Sequence, residues 1–352
     1  MLKEKDGPRK KPAIGLLRFF NDFVKFTTKY HIRIVMKVTE ILASAKKPLF
    51  TFEMLPPLKG HQLDKISNAI EMLKEYEPAY INFTSHQQEV VYVERSDGLS
   101  ERRVLQKRPG TVALSAAIKY KYNIEVVPHL LCGGLTAEEI ENELIELNFL
   151  DIDNVFALRG DPPRGERRFV PTRYGHRYTN ELVQQISSMN NGEYLDSGLK
   201  NQKKTNFCVG VAGYPEKHME APNMNHDIEM LKQKVMAGAD YIVTQMFFIN
   251  TKFFDFVERC RAEGITVPII PGIKPLSSLN DINLIPQTFS IDLPEELYAA
   301  VAGCKTNAEV REVGVDFAIQ QSKELIASGV PGVHYYTLGR ADNIAKIVKA
   351  VF

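Results

Sequence analysis

From residue 36 onward, short apolar runs alternate with longer stretches whose apolar residues recur every three or four positions. The short runs predict strands, and they are Leu49–Met54, Ala79–Phe83, Ile124–His129, Asn154–Leu158, Phe207–Ala212, Tyr241–Gln245, Pro268–Ile273 and Gly332–Tyr336. The longer stretches predict helices, for example His61–Tyr76, Thr136–Asn148, Thr179–Met189, Met224–Ala237, Thr251–Glu263 and Ala308–Ser328. Strands that alternate with helices in this way predict an α/β protein with a (β/α)8 TIM barrel.

An open doubly wound sheet is the alternative to the barrel. A dinucleotide-binding sheet usually carries a GxGxxG turn after its first strand, and none follows Met54. We therefore expect residues 36–352 to form one barrel domain. A long connection, Arg164–Asn206, interrupts the alternation, and such an insertion either covers a site or forms a variable surface loop.

The first 35 residues differ in charge from the rest of the chain. They carry nine Lys or Arg and three acidic residues, whereas the remainder has a formal charge of −5. The pairs Leu16-Leu17 and Phe19-Phe20 would allow a basic amphipathic helix. We favour the simpler interpretation, in which residues 1–35 are a flexible extension or reflect a start codon assigned upstream of Met36.

Composition narrows the class of protein. The formal net charge of +1 gives no indication of a nucleic-acid partner, and no apolar run reaches the roughly 18 residues of a membrane span. The four cysteines lie far apart without a CxxC motif, which favours reduced thiols in a cytoplasmic protein over disulfides or a zinc site.

Polar residues stand at or just after the carboxyl end of every predicted strand. They are Glu53, Thr84, His129, Asp161, Tyr214, His218, Gln245, Lys274, Tyr336 and Arg340. In a barrel these positions converge on one face. Because each buried polar group left without a partner costs about 1–3 kcal/mol, so many of them together predict a ligand site.

The types of residue limit the chemistry. There is no HxH or HExxH motif for a catalytic metal and no GxSxG motif for a covalent hydrolase. Gly160 allows the backbone to approach a ligand closely, and Asp161 places a carboxylate beside it. Such a set could hold a large heteroaromatic cofactor with phosphate groups, which favours redox or one-carbon chemistry without deciding between them.

Seven motifs in a fixed order carry a resemblance to a known family. They are Phe52-Glu53-Met54-Leu55-Pro56-Pro57, Pro128-His129-Leu130, Ala157-Leu158-Arg159-Gly160-Asp161, Gly213-Tyr214-Pro215-Glu216-Lys217-His218, Thr244-Gln245-Met246-Phe247-Phe248, Pro271-Gly272-Ile273 and Tyr336-Thr337-Leu338-Gly339-Arg340. With these motifs the chain resembles the methylenetetrahydrofolate reductases, flavoproteins of one-carbon metabolism, and in particular the catalytic domain of the bacterial enzymes.

The resemblance implies an oxidoreductase that works in two half-reactions. NADH or NADPH reduces a bound FAD and leaves, and 5,10-methylenetetrahydrofolate then binds over the same flavin face. Its five-membered ring opens to a 5-iminium cation, which the flavin reduces to 5-methyltetrahydrofolate, a methyl donor for methionine synthesis. The flavin carries the hydride, and the protein supplies placement and electrostatics.

The resemblance also assigns residues to the substrate. Glu53 matches the general acid that protonates folate N10, and its apolar neighbours suit a proton donor because they keep water away. Asp161 matches the carboxylate that stabilises the cationic intermediate. Gln245 matches the residue that hydrogen-bonds the pterin, and Tyr336 and Arg340 match folate contacts, with Arg340 pairing the glutamate tail.

A second group of residues matches the FAD-binding positions of the family. It comprises Thr84, His129, Leu158, Arg159, Gly160, Asp161, Tyr178, Thr179, Ala212, Tyr214, His218, Asp227 and Lys234. The chain departs from the family pattern at Asp281 and Ile285, where bacterial relatives carry a glutamine and a stacking phenylalanine. That departure affects which side chain stacks on the folate and nicotinamide rings, and it leaves the implied reaction unchanged.

The resemblance implies further properties. We expect a cytoplasmic homo-oligomer with a small-molecule substrate, NADH as the preferred donor, and no C-terminal regulatory domain. Two other functions stay open at this point. One is a barrel that binds folate or flavin without turnover, against which the joint presence of Glu53, Asp161 and Gln245 argues. The other is a different FAD barrel oxidoreductase, such as a proline dehydrogenase.

Overall fold

The structure is a computed structural model that describes residues 36–85, 89–162, 168–337 and 339–352. The described residues contain ten strands, which are β1 Leu49–Met54, β2 Ile81–Phe83, β3 Glu89–Glu94, β4 Ser100–Leu105, β5 Val126–Leu131, β6 Asn154–Leu158, β7 Cys208–Gly213, β8 Tyr241–Met246, β9 Ile269–Ile273 and β10 Gly332–Tyr336. Eight of them close into a parallel barrel in the order β1, β2, β5, β6, β7, β8, β9 and β10, and β10 pairs with β1.

Helices follow the strands along the chain. Those in the described residues are α1 Val38–Ser44, α2 Asp64–Leu73, α3 Thr111–Tyr122, α4 Ala137–Phe149, α5 Thr179–Asn191, α6 Met224–Met236, α7 Asn250–Ala262, α8 Asp281–Phe289, α9 Glu295–Ala302, α10 Asn307–Ala327 and α11 Ala341–Val351, with a 3₁₀ turn at Lys74–Tyr76. No helix among the described residues is both long enough and apolar enough to cross a membrane.

The predicted (β/α)8 barrel is confirmed. Each of the eight predicted strands is present, with ends displaced by at most two residues. The open sheet is excluded because the first and last barrel strands pair, with Glu53 opposite Tyr336. A capping box at Thr136 begins α4, since the Glu139 N–H donates to Thr136 Oγ1 (3.1 Å) and Glu139 accepts from the Thr136 N–H (2.7 Å). The predicted extension, residues 1–35, lies outside the described residues.

Helix α1 covers the amino end of the barrel. Val38 is fully buried among side chains that point into the barrel, including Tyr80 and Tyr241. The Val38 N–H donates to Asn154 Oδ1 (2.8 Å), and Asn154 Nδ2 donates to the Met36 carbonyl (2.9 Å). Because Asn154 begins β6, these bonds fix α1 at the end of the barrel opposite the carboxyl ends of the strands.

A glycine in β7 makes room for two aromatic rings inside the barrel. A Cβ at Gly210 would lie 2.4 Å from Tyr241 Cζ and 2.5 Å from Phe156 Cδ2. We expect Gly210→Ala to lower the free energy of unfolding by about 1–3 kcal/mol, the usual cost of overpacking. Urea unfolding measures this change. Gly303→Ala is the control, since the added Cβ would lie an ordinary 3.5 Å from its nearest neighbour, the Ala299 carbonyl oxygen. Equal losses of unfolding free energy in both variants would contradict the packing argument.

The hairpin of β3 and β4 was not predicted. Its strands pair antiparallel, with Glu89 opposite Leu105, and they stand apart from the barrel sheet. The sequence does contain a signal for it, because Asp97-Gly98 lies between two strand-like runs and Gly98 has a φ of +77°. The hairpin matters for function since its ends reach the carboxyl face of the barrel.

Candidate active site at the carboxyl end of the barrel

A cavity of about 1030 Å³ opens at the carboxyl ends of the barrel strands. This volume lies at the upper end of the range for small-molecule sites. Its lining includes these predicted site residues: Glu53, Thr84, His129, Leu158, Arg159, Gly160, Asp161, Tyr178, Thr179, Ala212, Tyr214, His218, Asp227, Lys234, Gln245 and Tyr336. The structure therefore brings together residues that are spread along nearly 300 positions of sequence. Arg340 does not line the cavity.

Glu53 lies at the floor of this cavity. Residues of β1 alternate, so that Phe52 and Met54 pack outward into the main core while Thr51 and Glu53 face the barrel interior. Glu53 is 9% exposed, and its carbonyl accepts a hydrogen bond from Thr337 Oγ1 (2.7 Å). The Glu53 side chain is thus largely buried, although Phe52 and Met54, the neighbours expected to keep water away from it, lie on the other face of the strand.

A β-bulge sets the direction of Gln245. The pairing of β8 with β9 shifts register between Val243 and Met246, and Gln245 lies within that irregularity. Gln245 Oε1 accepts a hydrogen bond from the Met246 N–H (2.9 Å), which leaves the amide NH₂ group as the side chain's donor to a ligand. Bulges near active sites commonly redirect one side chain in this way.

The turn after β6 brings opposite charges to the cavity. Gly160 has a φ of +85°, a conformation that suits glycine and lets Arg159 and Asp161 both line the cavity. Arg159 Nη1 lies 2.6 Å from Glu220 Oε2, and its guanidinium stacks on the Phe169 ring at 5.0 Å from the centroid. These contacts hold the guanidinium in place, while the Asp161 carboxylate is exposed to the cavity and to solvent.

A second charged group forms between β7 and α6. Asp227 Oδ2 accepts from the His218 N–H (2.9 Å), and the His218 ring packs edge-on against Tyr214 at 4.8 Å. Lys234 Nζ donates to the Ala212 carbonyl (3.0 Å). Burial lowers the pKa of Lys234 to about 8, and Asp227 opposes that change. Burial and the charge of Arg159 lower the pKa of His218, which favours the neutral ring.

The amino end of α5 also points at the cavity. Tyr178, Thr179 and Asn180 line it, and the first N–H groups of a helix are a favourable place for an anion. Asn180 Oδ1 is buried and has no hydrogen-bond partner among the described residues. An unsatisfied buried acceptor beside a cavity indicates that a ligand donor completes this part of the site.

Two further predicted cofactor contacts come from β5 and from the residue that follows β2. His129 is 5% exposed, and its Nε2 lies 3.1 Å from Asn82 Nδ2. Thr84 follows β2, and its N–H donates to the Met54 carbonyl (3.0 Å), which holds it beside the end of β1. Both residues line the cavity, Thr84 on the strand next to Glu53.

Two residues at strand ends do not join the others. Lys274 is buried and lies 3.5 Å from Asp281 Oδ2, which also accepts from the Ser277 and Ser278 N–H groups. Because Asp281 binds it at the start of α8, Lys274 does not line the cavity. Arg340 is exposed and directly precedes α11, and its N–H donates to the Thr337 carbonyl (2.8 Å).

The sequence analysis missed several residues of the lining. Lys107 and Arg108 reach the cavity from the segment after β4, where Lys107 pairs with Glu89 and Arg108 donates to the Pro56 carbonyl. Two adjacent basic residues before Pro109-Gly110 are a sequence signal for an anion-binding site. Their position in the cavity could not be predicted, because it depends on the hairpin of β3 and β4, which was not predicted either.

Phe289 is another residue that the sequence analysis missed. Ile285 is buried in a cluster under α8, whereas Phe289, one turn later in the same helix, lines the cavity. The structure thus places an aromatic ring on this helix one turn beyond the position at which the family pattern led us to look for one.

Comparison with known proteins places these residues in a family. A sequence profile described as methylenetetrahydrofolate reductase matches residues 37–351. A methylenetetrahydrofolate reductase (NADH) of Arabidopsis thaliana is 31% identical over 317 residues, which cover 87% of this chain and 48% of the relative. The 5,10-methylenetetrahydrofolate reductase of Escherichia coli is 29% identical over 293 residues, 83% of this chain and 86% of the relative.

A solved structure supports the fold. It is a protein from Clostridium thermocellum described as binding two copies of 5-methyl-5,6,7,8-tetrahydrofolic acid; it covers 88% of this chain and 96% of its own, with a TM-score of 0.55 and 14% identity. The chain spans about half the length of the plant relatives it matches. Since the profile covers almost all of the described barrel, the chain belongs to the methylenetetrahydrofolate reductase family.

Proposed function

We propose that the protein reduces 5,10-methylenetetrahydrofolate to 5-methyltetrahydrofolate, with NADH or NADPH as electron donor and FAD as cofactor. The observation that carries the proposal is the convergence of Glu53, Asp161 and Gln245 on one cavity that also holds a cationic and hydrogen-bonding wall. A proton donor, a carboxylate for a cationic intermediate and a pterin-binding amide are the groups that this reaction needs.

The wall opposite Glu53 suits a cofactor with phosphate groups and a heteroaromatic ring. Arg159 and Lys234 supply positive charge, and the amino end of α5 supplies N–H groups. The unsatisfied Oδ1 of Asn180 can accept from a ribose hydroxyl or a ring N–H. FAD has all of these groups and, when bound, supplies the two-electron transfer between the nicotinamide donor and the folate.

The chain's own residues then have distinct tasks. Glu53 delivers a proton to folate N10 as the ring opens, from a largely buried position in the lining of the cavity. Asp161 supplies a negative charge near the developing cation. Gln245 donates to the pterin from its fixed position in the bulge, and Tyr336 closes the side of the cavity next to Glu53.

Other expectations remain part of this proposal. They are an NADH preference, a homo-oligomeric cytoplasmic enzyme, a role in supplying methyl groups for methionine synthesis, and a contact of Arg340 with the glutamate tail of folate. The names of the relatives include both donors, since the plant relatives are described as NADH enzymes and one from Caenorhabditis elegans as an NADPH enzyme.

An anaerobic titration tests the proposal. Purified protein reconstituted with FAD is titrated with NADH while the flavin absorbance is followed, and 5,10-methylenetetrahydrofolate is then added. We expect bleaching with NADH and recovery with the folate. Bleaching without recovery would remove the substrate assignment and favour another flavin oxidoreductase, whereas FAD binding without bleaching would favour a barrel that binds but does not turn over.

The charge on Lys234 makes a prediction about cofactor binding. With a pKa of about 8 in the free protein, the ammonium loses its proton as the pH rises above that value. A phosphate group prefers the charged form, so FAD affinity should decrease by up to about tenfold per pH unit above pH 8. FAD fluorescence quenching on the apoprotein from pH 6.5 to 9.5 measures the change.

Lys234→Met provides the comparison for this pH dependence. The variant should bind FAD more weakly, by about 10- to 100-fold at pH 7, because a charge-assisted hydrogen bond is lost. Its affinity should also stay level across pH 8. Lys232→Met, in the same helix, where the half-buried Lys232 pairs with Glu263, is the matched control. A wild-type affinity that stays constant through pH 8 would contradict the assignment.

A further inference from the structure

A buried histidine lies directly beneath Glu53 and belongs to none of the groups described above. His334 is in the middle of β10 and is 1% exposed. We infer that His334 is a positioning residue, which holds the Glu53 carboxyl in the cavity and shares its proton. The inference rests on the proposed function, since it concerns the proton that Glu53 delivers to the folate.

Strand pairing puts the imidazole between two side chains of β1. Thr51 is the register partner of His334, and Glu53 follows two residues later on the same face of the strand. Thr51 Oγ1 and His334 Nδ1 are 2.6 Å apart, and His334 Nε2 lies 3.9 Å from Glu53 Oε2. The three groups thus form a line from the barrel interior to the cavity.

The two ring nitrogens have different partners. The hydroxyl of Thr51 occupies Nδ1, so Nε2 is the nitrogen that faces the carboxyl group. A distance of 3.9 Å is longer than a hydrogen bond, and catalytic contacts of this kind tighten when substrate closes the site. With the ring held by Thr51, Nε2 stays directed towards the carboxyl group of Glu53.

Two tyrosines beside Thr51 and His334 do not titrate near neutral pH. The Tyr336 ring packs edge-on against His334 at 5.2 Å, and burial, with the charge of Glu53, raises the pKa of Tyr336 well above its usual value. Burial likewise raises the pKa of Tyr80, whose hydroxyl lies beside Thr51. Both phenols stay protonated through the range in which a carboxyl and an imidazole exchange protons.

The other neighbouring strand adds no competing charge at this level. On β9 the register partner of His334 is Gly272. The lysine at the end of that strand, Lys274, pairs with Asp281 at 3.5 Å. Lys274 is thus engaged elsewhere, and the ionisable group on β10 that faces the Glu53 carboxyl is His334, at 3.9 Å.

Two variants test the inference through the separate half-reactions. His334→Phe keeps a planar ring and removes both nitrogens, and Thr51→Val removes the partner of Nδ1 in a residue of nearly the same shape. For His334→Phe we expect reoxidation of the reduced enzyme by 5,10-methylenetetrahydrofolate to slow by about 10- to 100-fold, with reduction by NADH unchanged. Thr51→Val should show a smaller loss in the same half-reaction, and the double variant should be no slower than His334→Phe.

The pH profile separates positioning from a structural role. Between pH 5.5 and 9, a plot of the wild-type reoxidation rate against pH should show an inflection where the shared proton is lost. His334→Phe should move that inflection to a different pH. Tyr335→Phe is the matched control, because it removes a buried hydrogen bond to Ser322 Oγ (2.9 Å) on the same strand but away from the cavity. It should leave the ratio of the two half-reactions and the pH profile unchanged.

A readout without turnover checks the same pair. In protein labelled with ¹⁵N-histidine, the ring signals of His334 are assigned by their absence in His334→Phe. If the two groups share a proton, Glu53→Gln should change the pH titration of the His334 ring. A titration that is unchanged by Glu53→Gln overturns the inference.

The remaining outcomes are equally decisive. Equal losses in both half-reactions, or an unmoved pH profile, would reduce His334 to a structural residue. If His334→Phe does not fold, Thr51→Val decides: a selective loss of folate reduction supports the inference, and no change in rate or pH profile overturns it. A wild-type enzyme that NADH reduces but the folate does not reoxidise would instead overturn the proposed function, and the inference with it.

Discussion

Glu53→Gln should slow folate reduction severely while leaving reduction by NADH intact. A glutamine has the shape of the glutamate but cannot deliver a proton, and only the folate half-reaction needs one. The loss should be about 10²- to 10⁴-fold in the reoxidation rate, the usual contribution of a general acid. Stopped-flow measurements of the two half-reactions, each with the enzyme saturated in FAD, give the two rates separately.

Two controls make the Glu53 result specific. Glu53→Asp keeps a carboxyl but withdraws it from the folate, so it should retain more activity than the glutamine variant. Glu312→Gln, on an exposed helix face, is the matched control for the loss of one carboxylate. Equal slowing of both half-reactions in Glu53→Gln would show that the residue serves the fold or the cofactor instead.

Asp161→Asn should also affect the two half-reactions differently. The aspartate lies at the rim of the cavity after Gly160, and its charge favours a cation on the folate. Its loss should slow folate reduction by about 10²-fold, the size of effect that one preorganised electrostatic group commonly has. Reduction by NADH should stay equal or become faster, because the negative charge no longer disfavours electrons on the cofactor.

The measurement for Asp161 includes a redox titration. The cofactor in Asp161→Asn should have a higher reduction potential than in the wild type, which is an equilibrium property and independent of turnover. Asp255→Asn, an exposed aspartate on α7 that does not line the cavity, is the control. An unchanged potential together with an unchanged folate rate would remove Asp161 from the mechanism.

Much of the barrel could be predicted because strands and helices differ in period. The alternation along β1, from Phe50 to Met54, already separates residues that pack outward from Thr51 and Glu53, which face inward. The position of a polar residue at a strand end was a weaker predictor of whether it lines the cavity. It placed Glu53 and Gln245 correctly in the cavity, but it also included Lys274, which Asp281 binds through an ion pair from the following helix.

Other parts of the site depend on geometry that no local pattern encodes. The bulge that turns Gln245 arises from the pairing of β8 with β9, and Lys107 reaches the cavity only because the hairpin folds back on the barrel. His334 stands in a run of strand formers, Val333 to Tyr336, in which a histidine gives no sign of its partners.

The sequence by itself determined the number, order and inward face of the barrel strands, because these follow from local periodicity and from the short connections between neighbours. It also supplied the motifs that carry the family resemblance. Only the tertiary structure decided which inward residues meet. Closure of the barrel pairs β1 with β10 and so brings Thr51 and His334, 283 residues apart in the chain, to within 2.6 Å. Contacts of this kind depend on the register across the closing strands, which a one-dimensional pattern does not contain.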